Sequence, residues 1–317
     1  MNLKKLWVYL VILLVIAGFL AATRFFWPQA PGEEKNPLLF PLSSAALEEV
    51  QWKRGEEIIR IKKGKGWEIV TPLALAADTP VLEGILQGLT GLRPQRAITE
   101  PIQNLSEFGL DSPALIISFQ AQGKGEEIRI GAKNAVGNAY YVKTSRSPSL
   151  FLVDSFQIKE LDRDLFALRS KKIFSFASEQ VQGFEISSDG KGFFLEKGSK
   201  GWTSKEKPNL ALAKEKVASF LSDLLVTQAK GFAEPGEEAP DWGFKKPRLQ
   251  IRLLGGEQEK KEETLILGAG TAEKGLPTRS PIHREILFLD PGFIKKIPQG
   301  PEVWEEKNEP APARKGP

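Results

Sequence analysis

The chain has no cysteine among its 317 residues and a single histidine, His283. Without cysteine there are no disulfide bonds, no thiolate nucleophiles and no sulfur-ligated metal sites, and the lipid attachment of a lipoprotein is excluded as well. His283 has no cysteine to pair with and cannot complete a zinc site of the usual kind. We therefore expect His283 at the surface or at a strand edge, and we predict no catalytic or metal-binding residue.

Motifs for nucleotide binding are also missing. The sequence has no Gly-x-x-x-x-Gly-Lys-Ser/Thr run, which excludes a P-loop ATPase, and no Gly-x-Ser-x-Gly elbow of the hydrolase type. Gly268-Ala269-Gly270 follows an apolar strand, but Glu273 stands where a dinucleotide-binding turn needs its third glycine. We interpret these glycines as a turn that ends a strand, and we expect no cofactor.

Charge of one sign does not dominate the chain. It has 44 lysines and arginines against 40 aspartates and glutamates, with a net charge of +4 and a pI near 9.0. The basic residues are spread along the sequence, whereas a nucleic-acid binder usually gathers them on one helix or stripe. We predict solvated faces and strand edges for them, and no nucleic-acid partner.

An uncharged apolar run stands at the N-terminus. Residues 6–23 carry no charge, and a helix of this length spans about 27 Å, close to the hydrocarbon thickness of a bilayer. Lys4 and Lys5 precede the run, so the positive-inside rule places the N-terminus in the cytoplasm and the rest of the chain outside. We predict a transmembrane anchor over residues 1–27, with a cleaved signal peptide as the alternative.

Both ends of the remaining chain are rich in proline. Residues 28–46 contain four prolines, which disfavour a helix and favour an extended tether. Residues 298–317 combine proline, glutamate and lysine with little to bury, which predicts a disordered tail that carries Trp304.

The sequence between these ends repeats itself. Three landmarks recur 134 to 137 residues later: Gly66-Trp67 as Gly201-Trp202, Phe108-Gly109-Leu110 as Trp242-Gly243-Phe244, and Ile130-Gly131-Ala132 as Leu267-Gly268-Ala269. A shift this constant, across landmarks of different composition, indicates a tandem duplication. We expect a first module over residues 47–172 and a second over residues 173–297.

Each module combines short β-prone runs with one main helix. The first helix begins at Asp78 or Thr79, and the second covers residues 210–226, each with an apolar stripe. Antiparallel strands with a single main helix predict an α+β fold for both modules, without the regular alternation of a doubly wound sheet.

Aspartates and tryptophans are the remaining candidates for chemistry. Asp78, Asp111 and Asp241 stand beside turns, where a glycosidase or a calcium site would place carboxylates. Turns and helix caps use aspartate for backbone hydrogen bonding alone, so we predict structural roles.

Tryptophans in tandem β-rich modules could stack on sugars. Trp67 and Trp202 occupy matching places, however, and this predicts a shared packing position. Trp52 and Trp304 are our candidates for binding a partner.

The landmarks resemble a known family. The Gly-Trp strand, the Phe108-Gly109-Leu110 turn, the Ile130-Gly131 strand end and the Tyr140-Tyr141-Val142-Lys143 strand, followed by Leu168-Arg169-Ser170-Lys171-Lys172, are similar to the bacterial domain of unknown function 4340. The resemblance covers residues 47–297 as tandem copies, the second more diverged. It implies a membrane-anchored extracytoplasmic component of a gliding-motility-type ABC transport system. The family has no established catalytic residues to carry over.

These observations lead to one expected function and two alternatives. We expect a non-enzymatic, membrane-anchored binding or scaffold protein of an ABC-type export or gliding-type complex. Its partners would be the membrane, an ABC permease and ATPase, and an extracytoplasmic protein. The alternatives are a cell-envelope glycan-binding protein and, third in order, a carboxylate-based hydrolase.

Overall fold

A computed structural model of the chain describes residues 36–100, 102, 104–188, 190–234, 242–255, 261–270 and 273–306, together with Ile16. The chain divides into two compact units at the boundary between Arg169 and Ser170. Each unit has a hydrophobic core of its own, as an independently folding domain requires.

Within the described residues, the first unit is built on a nine-stranded antiparallel sheet. Its strands are β1 (Leu47–Arg54), β2 (Glu57–Lys63), β3 (Trp67–Thr71), β4 (Leu75–Ala76), β5 (Pro94–Ile98), β6 (Leu115–Ala121), β7 (Lys124–Lys133), β8 (Ala139–Thr144) and β9 (Leu150–Asp154). Its helices are α1 (Thr79–Thr90), α2 (Ser155–Leu161) and α3 (Leu165–Leu168). The strands lie in the order β4-β3-β2-β1-β6-β7-β8-β9-β5.

The second unit, over its described part, has an eight-stranded antiparallel sheet. Its strands are β10 (Val181–Ser188), β11 (Lys191–Gly198), β12 (Gly201–Ser204), β13 (Gly231–Phe232), β14 (Leu249–Gly255), β15 (Lys261–Leu267), β16 (Leu276–Arg279) and β17 (Leu287–Leu289). Its main helix is α4 (Lys214–Leu225), and two 3₁₀ helices follow β17, the Pro291 turn (Pro291–Lys296) and the Pro301 turn (Pro301–Trp304). The strands lie in the order β12-β11-β10-β14-β15-β16-β17-β13.

The two sheets share one topology. In each sheet the first three strands form a meander, and the first of them pairs with the first strand of a second meander: β1 with β6, and β10 with β14. The strand that follows the main helix, β5 or β13, pairs with the last strand of the second meander and ends the sheet. The second sheet differs in one respect among the described residues, because β12 is its terminal strand whereas β3 is covered by β4. The predicted fold of antiparallel sheets with few helices is confirmed at this level.

The main helices form for reasons visible in the sequence. The Asp78 carboxylate accepts a hydrogen bond from the N–H of Val81 at 3.3 Å, and Pro80 lies in the first turn of α1. The buried face of α1 carries Leu82, Ile85, Leu86 and Leu89 at helical spacing. The helix begins where the sequence predicts it.

The helix α4 is shorter than predicted. It begins at Lys214 rather than at residue 210. The preceding segment is extended, and Leu212 forms a β-bridge with Glu305. The backbone pairing with a distant segment outweighs the local helical pattern.

The predicted tether over residues 28–46 does not hold from Leu39 onward. Leu39 and Phe40 are buried in the first core. The ring of Phe40 meets that of Phe119 edge to face, with centroids 4.9 Å apart, and the N–H of Leu39 donates to the carbonyl of Leu92 at 3.0 Å. The prolines around this segment exclude a helix, but its apolar side chains still pack.

The predicted disordered tail over residues 298–317 does not hold for residues 298–306. This segment forms the Pro301 turn and buries Pro301 and Trp304. The composition of the segment is polar, but a single large aromatic side chain is enough to fix it to the core.

The remaining predictions on the chain ends fall outside the described residues. These are the anchor over residues 1–27 apart from Ile16, residues 28–35 of the tether, and residues 307–317 of the tail. Within the described residues, no helix combines the length and the apolar character that a bilayer crossing requires.

Candidate functional site

The first pair of sequence landmarks forms a packing contact in the first unit. Gly109 adopts a φ of 66°, in the left-handed region that favours glycine. A Cβ on Gly109 would lie 2.8 Å from the backbone nitrogen of Ala132, and one on Gly131 would overlap the carbonyl oxygen of Phe108. Both glycines are therefore required for the turn to lie against the end of β7.

The same contact recurs in the second unit. Gly243 has a φ of 73°, and a Cβ on Gly268 would overlap the carbonyl oxygen of Trp242. The N–H of Gly270 donates to that same carbonyl at 3.1 Å. Gly268-Ala269-Gly270 is thus occupied by a turn of its own unit, and the landmark motifs serve the fold.

The two candidate partner-binding tryptophans are both in the cores. Trp52 is 1% exposed, and its Nε1–H donates to the carbonyl of Leu161 at 2.9 Å. Trp304 is 4% exposed and lies among the rings of Phe184, Phe193 and Phe220, with centroid distances of 5.7, 5.8 and 5.2 Å. Neither indole is presented to a partner, so these two side chains are packing residues.

The other sequence candidates have local structural partners. Asp78 caps α1, and the Asp111 carboxylate accepts from the N–H of Ser112 at 2.9 Å. Asp241 lies outside the described residues. The Nε2 atom of His283 lies 2.7 Å from the carbonyl oxygen of Lys172, so this ring fixes the start of the second unit.

A groove that the sequence does not predict lies beside α4. It encloses about 740 Å³ and has an apolar floor of Phe220, Leu224, Phe293 and Ile297. A neighbouring depression of about 600 Å³ shares Phe220 and Ile297 with it and extends to Val303. We call the two together the α4 groove. The first cavity has the size of a small-ligand or peptide site.

The two units differ at one repeat position on the rim of the α4 groove. The shift of 135 residues that relates Trp67 to Trp202 also relates Gly88 of α1 to Asp223 of α4. In the first unit, a Cβ at Gly88 would lie 3.6 Å from Leu161, so α2 packs directly on α1. In the second unit the position carries an exposed carboxylate on the rim of the groove.

A second difference separates the elements that close the two units. In the first unit Gln157 of α2 accepts from the N–H of Arg93 at 3.2 Å and donates to its carbonyl at 3.3 Å. Asp154 and Asp290 cap the two closing elements in the same way. Gln157 lies three residues after its cap and Phe293 lies three residues after the other, so Phe293 stands in the place of Gln157. Phenylalanine has no amide, so Phe293 cannot make this link to the segment that follows the main helix.

Charged side chains surround the α4 groove. Lys230, Lys296 and Asp223 lie on its rim, and all three are exposed. Among the described residues, these three side chains make no ion pair and no hydrogen bond. They are therefore available to a ligand that brings its own charges.

A comparison with protein-family models finds one match for this chain. The model is described as a domain of unknown function (DUF4340), and it matches residues 67–247. The chain belongs to this family. The DUF4340 match begins at the first residue of β3 and ends before β14, so it includes parts of both units. No curated protein and no solved structure matches the chain.

One further cluster in this DUF4340 protein escapes sequence reasoning. Ser175 and Glu263 are 88 residues apart, yet the N–H of Ser175 donates to the Glu263 carboxylate at 2.8 Å and its hydroxyl donates there as well. Lys261 lies 2.9 Å from the same carboxylate and donates to the Ser175 hydroxyl. Such a set of contacts between distant residues has no local sequence signal.

The contacts among Ser175, Glu263 and Lys261 favour a structural link, a clamp between distant segments, over a catalytic serine–lysine pair. Burial alone raises the pKa of the Glu263 carboxyl, but hydrogen bonds from Lys261 and Ser175 outweigh it, so the pKa is lowered. Ser175 and Lys261 both direct their donors at the Glu263 carboxylate, so the contacts hold this carboxylate in place. The cluster ties the start of the second unit to β15. Nor does any group of three or more metal-ligating side chains occur in the described ranges.

Proposed function

We propose that this DUF4340 protein is a membrane-anchored, non-enzymatic binding and scaffold protein. It would lie outside the cytoplasmic membrane, with its N-terminus inside, as an accessory component of an ABC-type export or gliding-type complex. The uncharged run at residues 6–23 supports the anchor. The similarity of the landmark motifs to the family supports the type of complex.

We further infer that the two units are tandem copies of one domain. The common strand order supports this, as do the paired glycines Gly109 with Gly131 and Gly243 with Gly268. The shift of about 135 residues also relates elements outside these landmarks, such as Gly88 and Asp223. A duplicated domain offers two related surfaces on one tether, which raises the local concentration of bound partners.

The single observation that supports a binding role most is the α4 groove. In the first unit, α2 packs beside the main helix, with Leu161 3.6 Å from the place of a Cβ on Gly88. In the second unit, an apolar floor remains open, and Lys230, Lys296 and Asp223 on its rim make no ion pair or side-chain hydrogen bond with another described residue. Exposed apolar surface rimmed by charge is typical of a protein interaction site.

Photo-crosslinking in native membranes tests the proposal. The residue p-benzoylphenylalanine replaces Val226, which is 70% exposed and lies on the rim of the α4 groove. The matched control replaces Val136, which is 81% exposed in the first unit. We expect the Val226 position to capture an ABC permease at its extracytoplasmic side, or an extracytoplasmic protein that co-purifies with the permease and its ATPase. Capture of the same proteins from both positions, or of none, would contradict the proposal.

The burial of the tryptophans does not support the glycan-binding alternative. Trp52, Trp67, Trp202, Trp242 and Trp304 are at most 7% exposed, so none of these five indoles offers a face to a sugar ring. Recovery of envelope polysaccharide in place of transporter subunits in the crosslinking experiment would nevertheless favour that alternative. Release of product from a glycoside or ester substrate by the purified protein would favour the hydrolase.

A further inference from the structure

We infer that the α4 groove binds an acidic, amphipathic segment of a partner protein. This inference rests on the binding role proposed above and specifies the chemistry of the ligand. It follows from the floor of the groove, from its charges and from a comparison with the closing helix of the first unit.

The floor of the groove requires apolar side chains from its ligand. Leu224, Phe293 and Ile297 are buried by the protein itself but face the cavity, and Phe220 is half-buried. Val226 and Val303 extend the apolar surface outward, at 70% and 57% exposure. Covering such surface with apolar side chains yields about 25 cal/mol per Å² removed from water. A purely polar or purely ionic ligand would leave this surface wet.

The charges around the groove favour an acidic ligand. Four lysines line it, against two aspartates: Lys216, Lys230, Lys295 and Lys296, with Asp223 and Asp290. The Asp290 carboxylate already accepts from the N–H of Gly292 at 2.8 Å, which reduces its share in repelling an anion. The lysines of the rim therefore set the sign of the field that an approaching segment meets.

The first unit indicates the shape of the ligand. There the helix α2 packs beside α1, and its Leu161 lies 3.6 Å from the place of a Cβ on Gly88, a position that is itself exposed. Ile158 and Leu161 are the buried residues of α2, three positions apart on one face. In the second unit the Pro291 turn takes the place of α2, with Ile297 where the first unit has Leu161, and the groove lies between this turn and α4. A partner helix with apolar side chains three positions apart would fit along that groove. This is helix-in-groove recognition.

A peptide-binding measurement on the full chain tests the inference. The protein is placed in nanodiscs of phosphatidylcholine, and the probe is a fluorescein-labelled amphipathic peptide with leucines on one helical face and glutamates on the other. A matched peptide carries lysines in place of the glutamates. Fluorescence anisotropy reports binding at low and at physiological salt.

The charge-reversed protein and a matched control provide the decisive comparison. We expect the glutamate peptide to bind the wild type, and Lys230→Glu with Lys296→Glu to weaken it by about tenfold or more, with a loss on adding salt. Lys191→Glu with Lys200→Glu reverses two exposed lysines of the same unit outside the groove and should leave binding unchanged. All four lysines are exposed, so neither variant threatens the fold.

Three results would overturn the inference. The first is equal binding of both peptides, or of the glutamate peptide to wild type and charge-reversed protein. The second is binding to phosphatidylserine vesicles that depends on Lys230 and Lys296 without any peptide binding, which would assign the groove to a lipid surface. The third is self-association of the wild-type protein that the charge-reversed protein lacks, which would assign the groove to a second copy of the chain.

The outcome separates this inference from the proposed function. If the peptide binds as expected but Val226 captures no transporter subunit, the groove has an acidic ligand and the proposed complex is wrong. If Val226 captures the transporter with the charge-reversed protein as well as with the lysines in place, the proposed function stands and the acidic ligand is wrong.

Discussion

The carbonyl of Trp304 accepts a hydrogen bond of 2.8 Å from the N–H of Ala213, the residue that precedes α4. The first unit has the same bond in the same place, since the N–H of Asp78 donates to the carbonyl of Leu168 at 2.8 Å. Residues 298–305 of the second unit thus correspond to residues 162–169 of the first. The last turn of each unit holds the start of its main helix.

The first prediction concerns Trp304. Replacement by alanine should lower the free energy of unfolding of the second unit by about 3–5 kcal/mol, because it leaves a cavity among Phe184, Phe193 and Phe220. Urea denaturation followed by near-ultraviolet circular dichroism measures the change. Val303→Ala, at a neighbouring side chain that is 57% exposed, should change it by less than about 0.5 kcal/mol. If the two substitutions had equal effects, the segment would not be fixed to the core and would instead be the disordered tail that its composition predicts.

The second prediction concerns the glycine at the end of β7. Gly131→Ala should destabilise the first unit by about 1–3 kcal/mol or prevent its folding, because the new methyl group meets the carbonyl of Phe108 and the side chain of Leu110. Gly125→Ala is the control on the same strand, since no atom lies within 4 Å of its Cβ position. Thermal denaturation of both variants provides the measurement, and a Gly131→Ala protein as stable as the control would refute the packing role.

The third prediction concerns the repeat position that separates the two units. Gly88→Ala should be neutral or stabilising by up to about 1 kcal/mol, because its methyl group would lie 3.6 Å from Leu161 and alanine favours a helix. Gly88→Asp should lose this gain, since it places a carboxylate beside the apolar end of Leu161 at an exposed position and aspartate is a weaker helix former than alanine. Asp223→Gly in α4 is the reciprocal change and should cost only about 0.3 kcal/mol, the difference in helix propensity between aspartate and glycine.

Chemical denaturation of these three variants, which measures the free energy of unfolding, tests the third prediction. If Gly88→Asp is as stable as Gly88→Ala, then α2 does not pack closely on α1. The difference drawn between the two units at this position would then fail.

The fourth prediction concerns pH. Folding lowers the pKa of Glu263, so its carboxylate stabilises the second unit above about pH 4.3, the ordinary value of a glutamate. That contribution is lost as the pH falls through this value toward the lowered pKa of the folded state. Glu263→Gln should be less stable than wild type at neutral pH, and the difference should shrink in acid. Glu196→Gln, at an exposed glutamate, is the control.

Urea titrations at neutral pH and at about pH 3 measure this linkage. A wild type whose stability falls no more steeply in acid than that of Glu263→Gln would show that the Ser175 cluster does not clamp the fold.

Local signals in the sequence predicted the main helices and the landmark turns. Asp78 and Pro80 mark the start of α1 because a cap and a fixed φ act within one turn. Gly109 and Gly243 mark turns because only glycine adopts their φ without strain. These features depend on neighbouring residues, so sequence reasoning reaches them.

The ends of the two units were missed although the repeat contained the signal. Leu39-Phe40 and Ile173-Phe174 are related by a shift of 134 residues, and both pairs are buried. Proline content predicted a tether for the first pair, because composition averages over a window and a few packed side chains do not change it. Extending the repeat to the ends would have found both this segment and the Pro301 turn.

The groove and the Ser175 cluster could not be predicted in this way. Gly88 and Asp223 are ordinary residues of two helices, and their difference matters only because Leu161 approaches one of them. Ser175 meets Glu263 only after the sheet has formed. Both features depend on contacts between distant segments, which no local pattern reports.

The end of the second sheet at β12 has a consequence for aggregation. A terminal strand offers unpaired backbone groups to other chains, and this risk grows with its length and flatness. β12 has only four residues, and the exposed Lys200 and Lys205 stand directly before and after it. Short length and flanking positive charge are common means by which proteins discourage edge-to-edge pairing. The second unit can therefore dispense with a covering strand and still resist pairing with the strand edges of other chains.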